Sequence, residues 1–359
     1  MKGVKDGLKE ISIKAYQTRS SGKLKTAMFL ITGKGTKVVY FTRKVKALLK
    51  SREIIDNWLA SALEYTKGKE NIRIKVGGKE FVVSRWFYSD IVNMFYDKEI
   101  QGLITEGDKL IIKTKIQDFL VDDHIIKEGF RFLYEASKRG WKYKDGVIEK
   151  RGVFFKYVST SVFEIFDANA YDNIDVYGRD VVDIGANVGD SSIYFALKGA
   201  RKVVGVEPLP SVYAQAVENV KLNHLEDKIF LINAALGSKS GKIKVPCNTS
   251  TYRSGVFSTL RTSGECEVPM VTLPEVMEQI SEPYLLKMDC EGCEFDVVLN
   301  DYEHVRMFEK LIMEYHANIT GIEYTKLVDK LSSDFHCELA SVPWAPKEEQ
   351  GLLWCDKNK

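Results

Sequence analysis

The chain has 359 residues, of which 45% are hydrophobic and 28% charged, with a formal net charge of +2. That length suits one large or two modest domains with a sizeable core, and the absence of any run near the ~20 apolar residues that a bilayer span needs excludes a transmembrane helix. The start, MKGVKDGLKEISIK, has no apolar central region of a signal peptide, so a cytoplasmic protein is expected, with Cys247, Cys266, Cys290, Cys293, Cys337 and Cys355 reduced.

The small net charge hides an asymmetry. The first fifty residues set Lys2, Lys5, Lys9, Lys14, Arg19, Lys23, Lys25, Lys34, Lys37, Arg43, Lys44, Lys46 and Lys50 against only Asp6 and Glu10. A basic front segment suits nucleic acid, a phosphorylated sugar or an anionic membrane, or is simply a solvated face. Its pattern is mixed: a strand at Lys37 to Thr42, helical apolar spacing from Val45 to Leu63, and a hairpin from Asn71 to Val83 about Gly77-Gly78. A further strand is expected at Leu110 to Thr114. The fragment GKGTK at Gly33 to Lys37 lacks the spacing of a phosphate-binding P-loop. Residues 1–123 therefore read as a basic α+β domain without a catalytic motif, and an amphipathic helix from Ile125 to Gly140 opens a second domain, 124–359.

After a hairpin-like stretch around Lys144 to Gly146, aromatics at Tyr143, Phe154, Phe155, Phe163, Phe166 and Tyr171 offer core packing or pocket walls. Then comes VVDIGANVGDSSIYFAL, Val181 to Leu197. Val181, Val182 and Ile184 suit a parallel strand buried on both faces, and Asp183 sits among them with no cation nearby in sequence. Gly185, Ala186, Asn187 and Gly189 form a turn in which the two glycines permit close approach of a ligand, while Asp190, Ser191 and Ser192 fall where a helix begins and can supply capping oxygens. A second apolar strand, VVGVEPLP, ends in Glu207 and Pro208; an acid at that distance suits paired ribose hydroxyls.

The turn lacks the GxGxxG pattern of a pyrophosphate site. A carboxylate two residues before its first glycine favours a cationic ligand, which weights S-adenosylmethionine over a nicotinamide dinucleotide. Strand and helix keep alternating, with a helix from Ser211 to Leu225 and a strand from Ile229 to Asn233, so the sheet is mostly parallel. Asn233, Ala234 and Ala235 at its tip are candidates for the adenine edge. A short strand at Ile243 to Pro246 leads to a long polar loop, Cys247 to Glu265, where Tyr252, Arg253 and Arg261 are candidates for contacting an anionic or sugar-like acceptor.

YLLKMD, Tyr284 to Asp289, is the next buried strand and opens into CEGCEFD. Asp289, Glu291 and Glu294 thus lie at the carboxyl end of a strand, where open parallel sheets bind ligands. They can take a proton, hold a divalent metal (Asp289 and Glu291), or cap the next helix. Cys290 and Cys293 spell CxxC, but without a second pair for zinc the pattern reads as two small buried thiols. The strand KLIMEYH, Lys310 to His316, delivers Glu314 and His316 to the same edge. Cys337 to Val342 and Gly351 to Asp356 close the sheet as an antiparallel pair.

These ordered motifs, with NAALGS at Asn233 to Ser238, VTLPEV at Val271 to Val276 and LKMDCEGCEFDVV at Leu286 to Val298, resemble the FkbM-family methyltransferases from about Ile125 to the carboxyl terminus. The resemblance implies a class I (Rossmann-like) α/β fold with a doubly wound, mostly parallel seven-stranded sheet, S-adenosylmethionine as cofactor, and methylation of a hydroxyl on a sugar, glycan or secondary metabolite. Cys290 and Cys293 depart from it, standing where similar proteins carry apolar or small residues. The expected base is His316, with Asp289, Glu291 and Glu314 beside it, acting directly or through a metal. Three other readings stay open: a nucleic-acid methyltransferase using the basic front domain, against which the Asn/Asp-Pro-Pro-aromatic motif is missing after the fourth strand; an NAD-dependent oxidoreductase; and a non-catalytic cofactor-binding module.

Overall fold

A computed structural model of the chain describes residues 12–16, 27–31, 43–248 and 264–358. The expected strand at Lys37 to Thr42, the GKGTK fragment and the acceptor candidates Tyr252, Arg253 and Arg261 lie outside the described residues. Two compact units meet in sequence at Arg151 and Gly152.

In the first unit, β1 (Ser12–Tyr16) and β2 (Ala27–Ile31) pair antiparallel. The helix expected from Val45 to Leu63 is broken into α1 (43–50), a 3-10 turn at Ser51–Glu53 and α2 (Trp58–Thr66). The break has a cause. Asp56 and Asn57 turn their side chains to the neighbouring hairpin, where Asn57 Oδ1 accepts from Lys75 N at 2.6 Å and Asp56 Oδ2 from Gly78 N at 2.9 Å. That hairpin, β3 (Asn71–Val76) and β4 (Lys79–Ser84), turns through Gly77 and Gly78 with φ of +55° and +82°, as a two-residue turn demands. Ser84 then caps α3 (Arg85–Tyr96) by accepting from Phe87 N at 3.1 Å, a helix that the sequence reading passed over. β5 (Ile100–Glu106), β6 (Lys109–Thr114) and β7 (Phe119–Leu120) form an antiparallel sheet that contains the strand expected at Leu110.

The amphipathic stretch after Asp123 divides at Gly129, φ +92°, into α4 (Asp123–Glu128) and α5 (Arg131–Lys138). Read from sequence as opening the second domain, it lies in the first unit. Asp90 on α3 accepts from the amides of Phe130 and Arg131 at 3.0 and 3.1 Å, and Arg131 pairs with Glu99 at 3.1 Å. A hairpin of β8 (Lys142–Lys144) and β9 (Val147–Lys150) follows.

The second unit begins with β10 (Val153–Phe155) and α6 (Thr160–Phe166). Its centre is a seven-stranded sheet built from β11 (Asp180–Ile184), β12 (Lys202–Val206), β13 (Ile229–Ile232), β17 (Leu285–Met288), β18 (Lys310–His316), β19 (Phe335–Ser341) and β20 (Gln350–Lys357). The order is β13-β12-β11-β17-β18-β20-β19. The first five strands are parallel, and β20 runs antiparallel to both β18 and β19. This is the doubly wound class I sheet that the resemblance implies. α7 (Asp190–Leu197) and α8 (Pro210–Leu222) connect the first strands. A small side sheet of β14 (Ala235–Leu236), β15 (Gly241–Val245) and β16 (Cys266–Val271) precedes α9 (Leu273–Met277).

All five residues of β11 and all four of β17 are buried, which explains their near-continuous apolar sequences. Among the aromatics, Phe155 packs edge-on against Phe166 at 5.4 Å, Phe166 on Tyr194 at 5.6 Å, and Tyr171 stacks on Phe195 at 5.2 Å. Core packing is their work here. Among the described residues no helix is long and apolar enough to cross a membrane.

Contrary to the expectation of reduced thiols, the cysteines are joined as Cys247–Cys266, Cys290–Cys293 and Cys337–Cys355. The fold brings each pair to bonding range, with Cα separations of 5.1, 5.5 and 4.1 Å.

Candidate functional site

Asp183 is fully buried at the centre of β11, and a carboxylate there needs partners. They come from two directions. Ser191 Oγ and Ser192 Oγ donate to its Oδ2 at 2.7 and 2.6 Å, and Lys287 Nζ lies 3.0 Å from its Oδ1. The two serines thus tie α7 to the strand rather than capping it. Lys287, on β17, also donates to Gly185 O at 2.9 Å. Burial works against its charge, but Asp183 outweighs that and holds its pKa above the ordinary lysine value.

The turn after β11 is tight by necessity. A Cβ on Gly185, at φ +77°, would stand 1.9 Å from Asp289 O, so only glycine fits. Gly185 N and Ala186 N both donate to Val206 O, at 2.9 and 3.0 Å, binding this turn to the tip of β12. Asn187 is left-handed at φ +48°, and its amide donates to Glu207 Oε2 at 3.0 Å. Glu207 Oε1 accepts from Leu209 N at 2.9 Å. Burial pushes the Glu207 carboxyl up to about 7, against the pull of these two amides. Each oxygen keeps an acceptor position beyond its one amide bond.

Asp190 opens α7 with its carboxylate buried against Ser159 Oγ at 2.9 Å and Ser161 Oγ, and burial pushes its pKa up. Asn233, the adenine-edge candidate, donates through Nδ2 to Glu207 O at 2.8 Å and Pro208 O at 3.2 Å, so its amide ties the tip of β13 to that of β12. Ala234 and Ala235 are buried beside it.

The second cluster lies where β17 and β18 end. Asp289 N donates to Ile184 O at 3.0 Å, which seats the Asp289 loop against β11. Glu291 adopts φ +56° and Gly292 φ +119°, and α10 (Cys293–Asn300) starts directly after, with no side-chain cap. Neither Asp289 nor Glu291 serves as that cap. Glu294, fully buried, instead reaches back: Oε2 accepts from Gly292 N at 3.0 Å, while Oε1 accepts from His316 N at 2.7 Å and lies 3.1 Å from His316 Nδ1. With Nδ1 held, His316 turns Nε2 to Glu291 Oε2 at 3.4 Å and Gln350 Nε2 at 3.2 Å. Gln350 Nε2 also donates to Glu314 Oε1 at 2.6 Å.

One imidazole among several carboxylates shifts its own proton affinity and that of Glu291. Burial opposes the charged His316, but the bond to Glu294 and the charges of Glu294, Glu291 and Asp289 prevail and raise it to about 10. Burial raises Glu291 to about 8, assisted by Asp289, Glu294 and Glu314 and opposed by His316. The pair therefore holds its protons near neutrality and releases the first on the alkaline side. Donor atoms of Asp289, Glu291 and His316 all lie within 4.8 Å of one another, so the metal candidates Asp289 and Glu291 gain a nitrogen donor.

The fold thus gathers Asp183, Gly185, Asn187 and Glu207 at the tips of β11 and β12, and Asp289, Glu291, Glu314 and His316 at those of β17 and β18. Lys287 and Gln350 were missed as site residues, and Glu294 was named among the acids after β17 but not as the partner of His316. Lys287 carried a signal: a lysine within one buried strand and an aspartate within another call for each other. Glu294 lies three residues past Glu291, one turn on, but nothing in sequence pairs it with His316. Gln350 carried no signal.

Residues 183–336 match the family model described as the methyltransferase FkbM domain. The chain is 46% identical over 61 residues to protein arginine N-methyltransferase 6 of Danio rerio, covering 17% of each protein. It is 44% identical over 57 residues to a candidate protein N5-glutamine methyltransferase of Methanocaldococcus jannaschii, covering 16% of this chain and 29% of that one. The match thus spans under a third of either relative's length. A crystal structure of methyltransferase FkbM from Methylobacillus flagellatus is similar at 13% identity and a TM-score of 0.38, covering 65% of this chain and 55% of that one.

Proposed function

From a chain whose residues 183–336 match the methyltransferase FkbM domain model, we propose an S-adenosylmethionine-dependent methyltransferase that acts on a hydroxyl of a sugar, glycan or secondary-metabolite-like acceptor. The observation that carries this reading is the convergence, at the carboxyl ends of adjacent strands, of a glycine turn closed by Glu207 with a histidine held between carboxylates.

The residues present suit that cofactor. Gly185 lets the Asp289 loop close directly against the turn, and Glu207 keeps free acceptor positions for a pair of ribose hydroxyls. Asn233 Oδ1 and the backbone around Ala234 and Ala235 offer polar edges for adenine. Asp183 and Lys287 neutralise each other and shape the turn from beneath. Ser191 and Ser192 hold Asp183 in that pose.

When bound, the cofactor supplies an activated methyl group on sulfur, so positioning accounts for much of the rate. The remaining task is to take a proton from a weakly acidic hydroxyl. Glu294 fixes His316 by Nδ1 and aims Nε2 at Glu291. Once this pair has lost its first proton it is the base for the acceptor oxygen, with Asp289 and Glu314 adding the negative field that favours receiving the proton. Acceptor recognition is proposed for Tyr252, Arg253 and Arg261 on the chemistry of their side chains alone.

The 4.8 Å grouping supports a second reading of the same cluster, in which Asp289, Glu291 and His316 hold a divalent cation. Such an ion would supply acidification of the acceptor hydroxyl, and Glu294 would orient the imidazole from behind. Activity that survives exhaustive chelation excludes it.

The test is transfer of isotope-labelled methyl from S-adenosylmethionine to a panel of glycans and small hydroxylated acceptors, with RNA and proteins in parallel. An alkali-stable methyl ether is expected. Label found only on RNA bases or on protein nitrogen overturns the hydroxyl assignment.

A further inference from the structure

We propose that the Cys290–Cys293 disulfide is a reducible bond that governs the Glu294–His316 pair, a regulation that rests on the acid–base reading above.

The three disulfides differ in what they hold. Cys337 and Cys355 are register partners on β19 and β20, and Cys266 sits opposite Val245 where β15 and β16 pair, two residues from Cys247. Those bonds span 18 and 19 residues and staple strands together. Cys290 and Cys293 are three residues apart. Their ring joins no two elements. It encloses only Glu291 and Gly292, both at positive φ, and a glutamate in the left-handed region is uncommon. The covalent ring helps keep it there, with its carboxylate beside His316 Nε2.

Access and chemistry suit reduction. Cys290 is half-buried on the loop, whereas Cys293 is 3% exposed and is the first residue of α10. A thiolate of a dithiol reductant attacks Cys290 Sγ. The S–S bond breaks, and Cys293 leaves as a thiolate favoured by the amides of the helix start before taking a proton. The donor's second thiol then displaces Cys290, which also takes a proton. Two electrons and two protons enter the protein, and the donor becomes its disulfide.

The coupling runs through Glu294. Its Oε2 lies 3.2 Å from Cys290 Sγ and accepts from Gly292 N, while its Oε1 carries His316. Opening the bond turns Cys290 into an S–H donor facing that carboxylate and releases the loop bearing Glu291. Both changes loosen the grip on the imidazole. The oxidised chain is the active form, and the reduced chain keeps its fold with a mobile 289–293 loop.

The experiment uses the full chain equilibrated across ratios of reduced to oxidised dithiothreitol. Thiols are counted by mass-tagged peptides, and the downfield proton signal of His316 Nδ1–H is followed by NMR. Cys290 and Cys293 are expected to become free before the other four, with loss of the His316 signal at the same step. Methyl-transfer kcat falls about tenfold or more there, with S-adenosylmethionine affinity within threefold, and reoxidation restores both. The double variant Cys290→Ser/Cys293→Ser should match the reduced protein; if it fails to fold, the reduced wild type carries the test. Opening of Cys290–Cys293 only together with the other two bonds, or an unchanged His316 signal and kcat across the step, overturns the proposal. Should no acceptor be methylated, the thiol count and the proton signal still decide it.

Discussion

Lys287 Nζ lies 3.0 Å from Asp183 Oδ1, on neighbouring strands whose backbone register pairs the same two residues. The pair closes on itself beneath the glycine turn, with Lys287 bonded also to Gly185 O. Removing one partner leaves the other charge buried alone, so Asp183→Asn should destabilise the protein by about 3–5 kcal/mol. In Asp183→Asn/Lys287→Met the charge is gone from both strands, and much of that loss should return. Chemical denaturation of both variants measures it, and equal stability of the two would mean that the ion pair is not the link.

Gly185→Ala should fail at the turn itself. Its Cβ would stand 1.9 Å from a backbone oxygen at a φ of +77°, and backbone cannot step aside as a flexible side chain can. We expect S-adenosylmethionine affinity to fall at least about tenfold, or a drop of about 1.4 kcal/mol, as read by calorimetry. Wild-type affinity would show that the turn tolerates the shift.

The rate of methyl transfer should rise with pH through about 8. Burial and the surrounding carboxylates hold the Glu291 carboxyl up to that value, so below it the Glu291–His316 pair keeps its first proton and lacks an acceptor position. Glu291→Gln should abolish that rise. It should also stabilise the fold, by about 1–3 kcal/mol above pH 8 and not below the ordinary carboxyl range. The sign follows because a carboxyl raised in the folded state costs stability only where the unfolded chain would ionise it. A flat profile in the wild type counts against the pair as base.

Glu294→Gln should lower kcat about 100-fold, because the imidazole loses the carboxylate that orients it. S-adenosylmethionine affinity should stay within threefold. A matched loss of affinity would point to collapse of the loop.

Much of this site was legible in sequence for a physical reason: parallel strands buried on both faces read as apolar runs, so an acid at or within one stands out. Asp183, Glu207 and Asp289 were visible that way. The hairpin at Gly77-Gly78 announced itself by its turn residues. What stayed hidden depends on long-range pairing. Neither the pairing of Glu294 with His316, 22 residues away in sequence, nor that of Gln350, 34 away, has a local signature. The break after α1 was hidden because Asp56 and Asn57 bind a hairpin that lies later in the chain, and the Cys247–Cys266 and Cys337–Cys355 disulfides because only strand pairing brings those cysteines together.

Calorimetric titration with S-adenosylmethionine, on the wild type and on Glu207→Ala, tests the central claim most directly. The wild type should bind, more tightly above pH 7 than below it because the Glu207 carboxyl, raised to about 7 by burial, then ionises and accepts from both ribose hydroxyls. Glu207→Ala should bind at least about tenfold more weakly and lose that pH dependence. A wild type that does not bind, or a variant that binds as well as the wild type, would contradict the account.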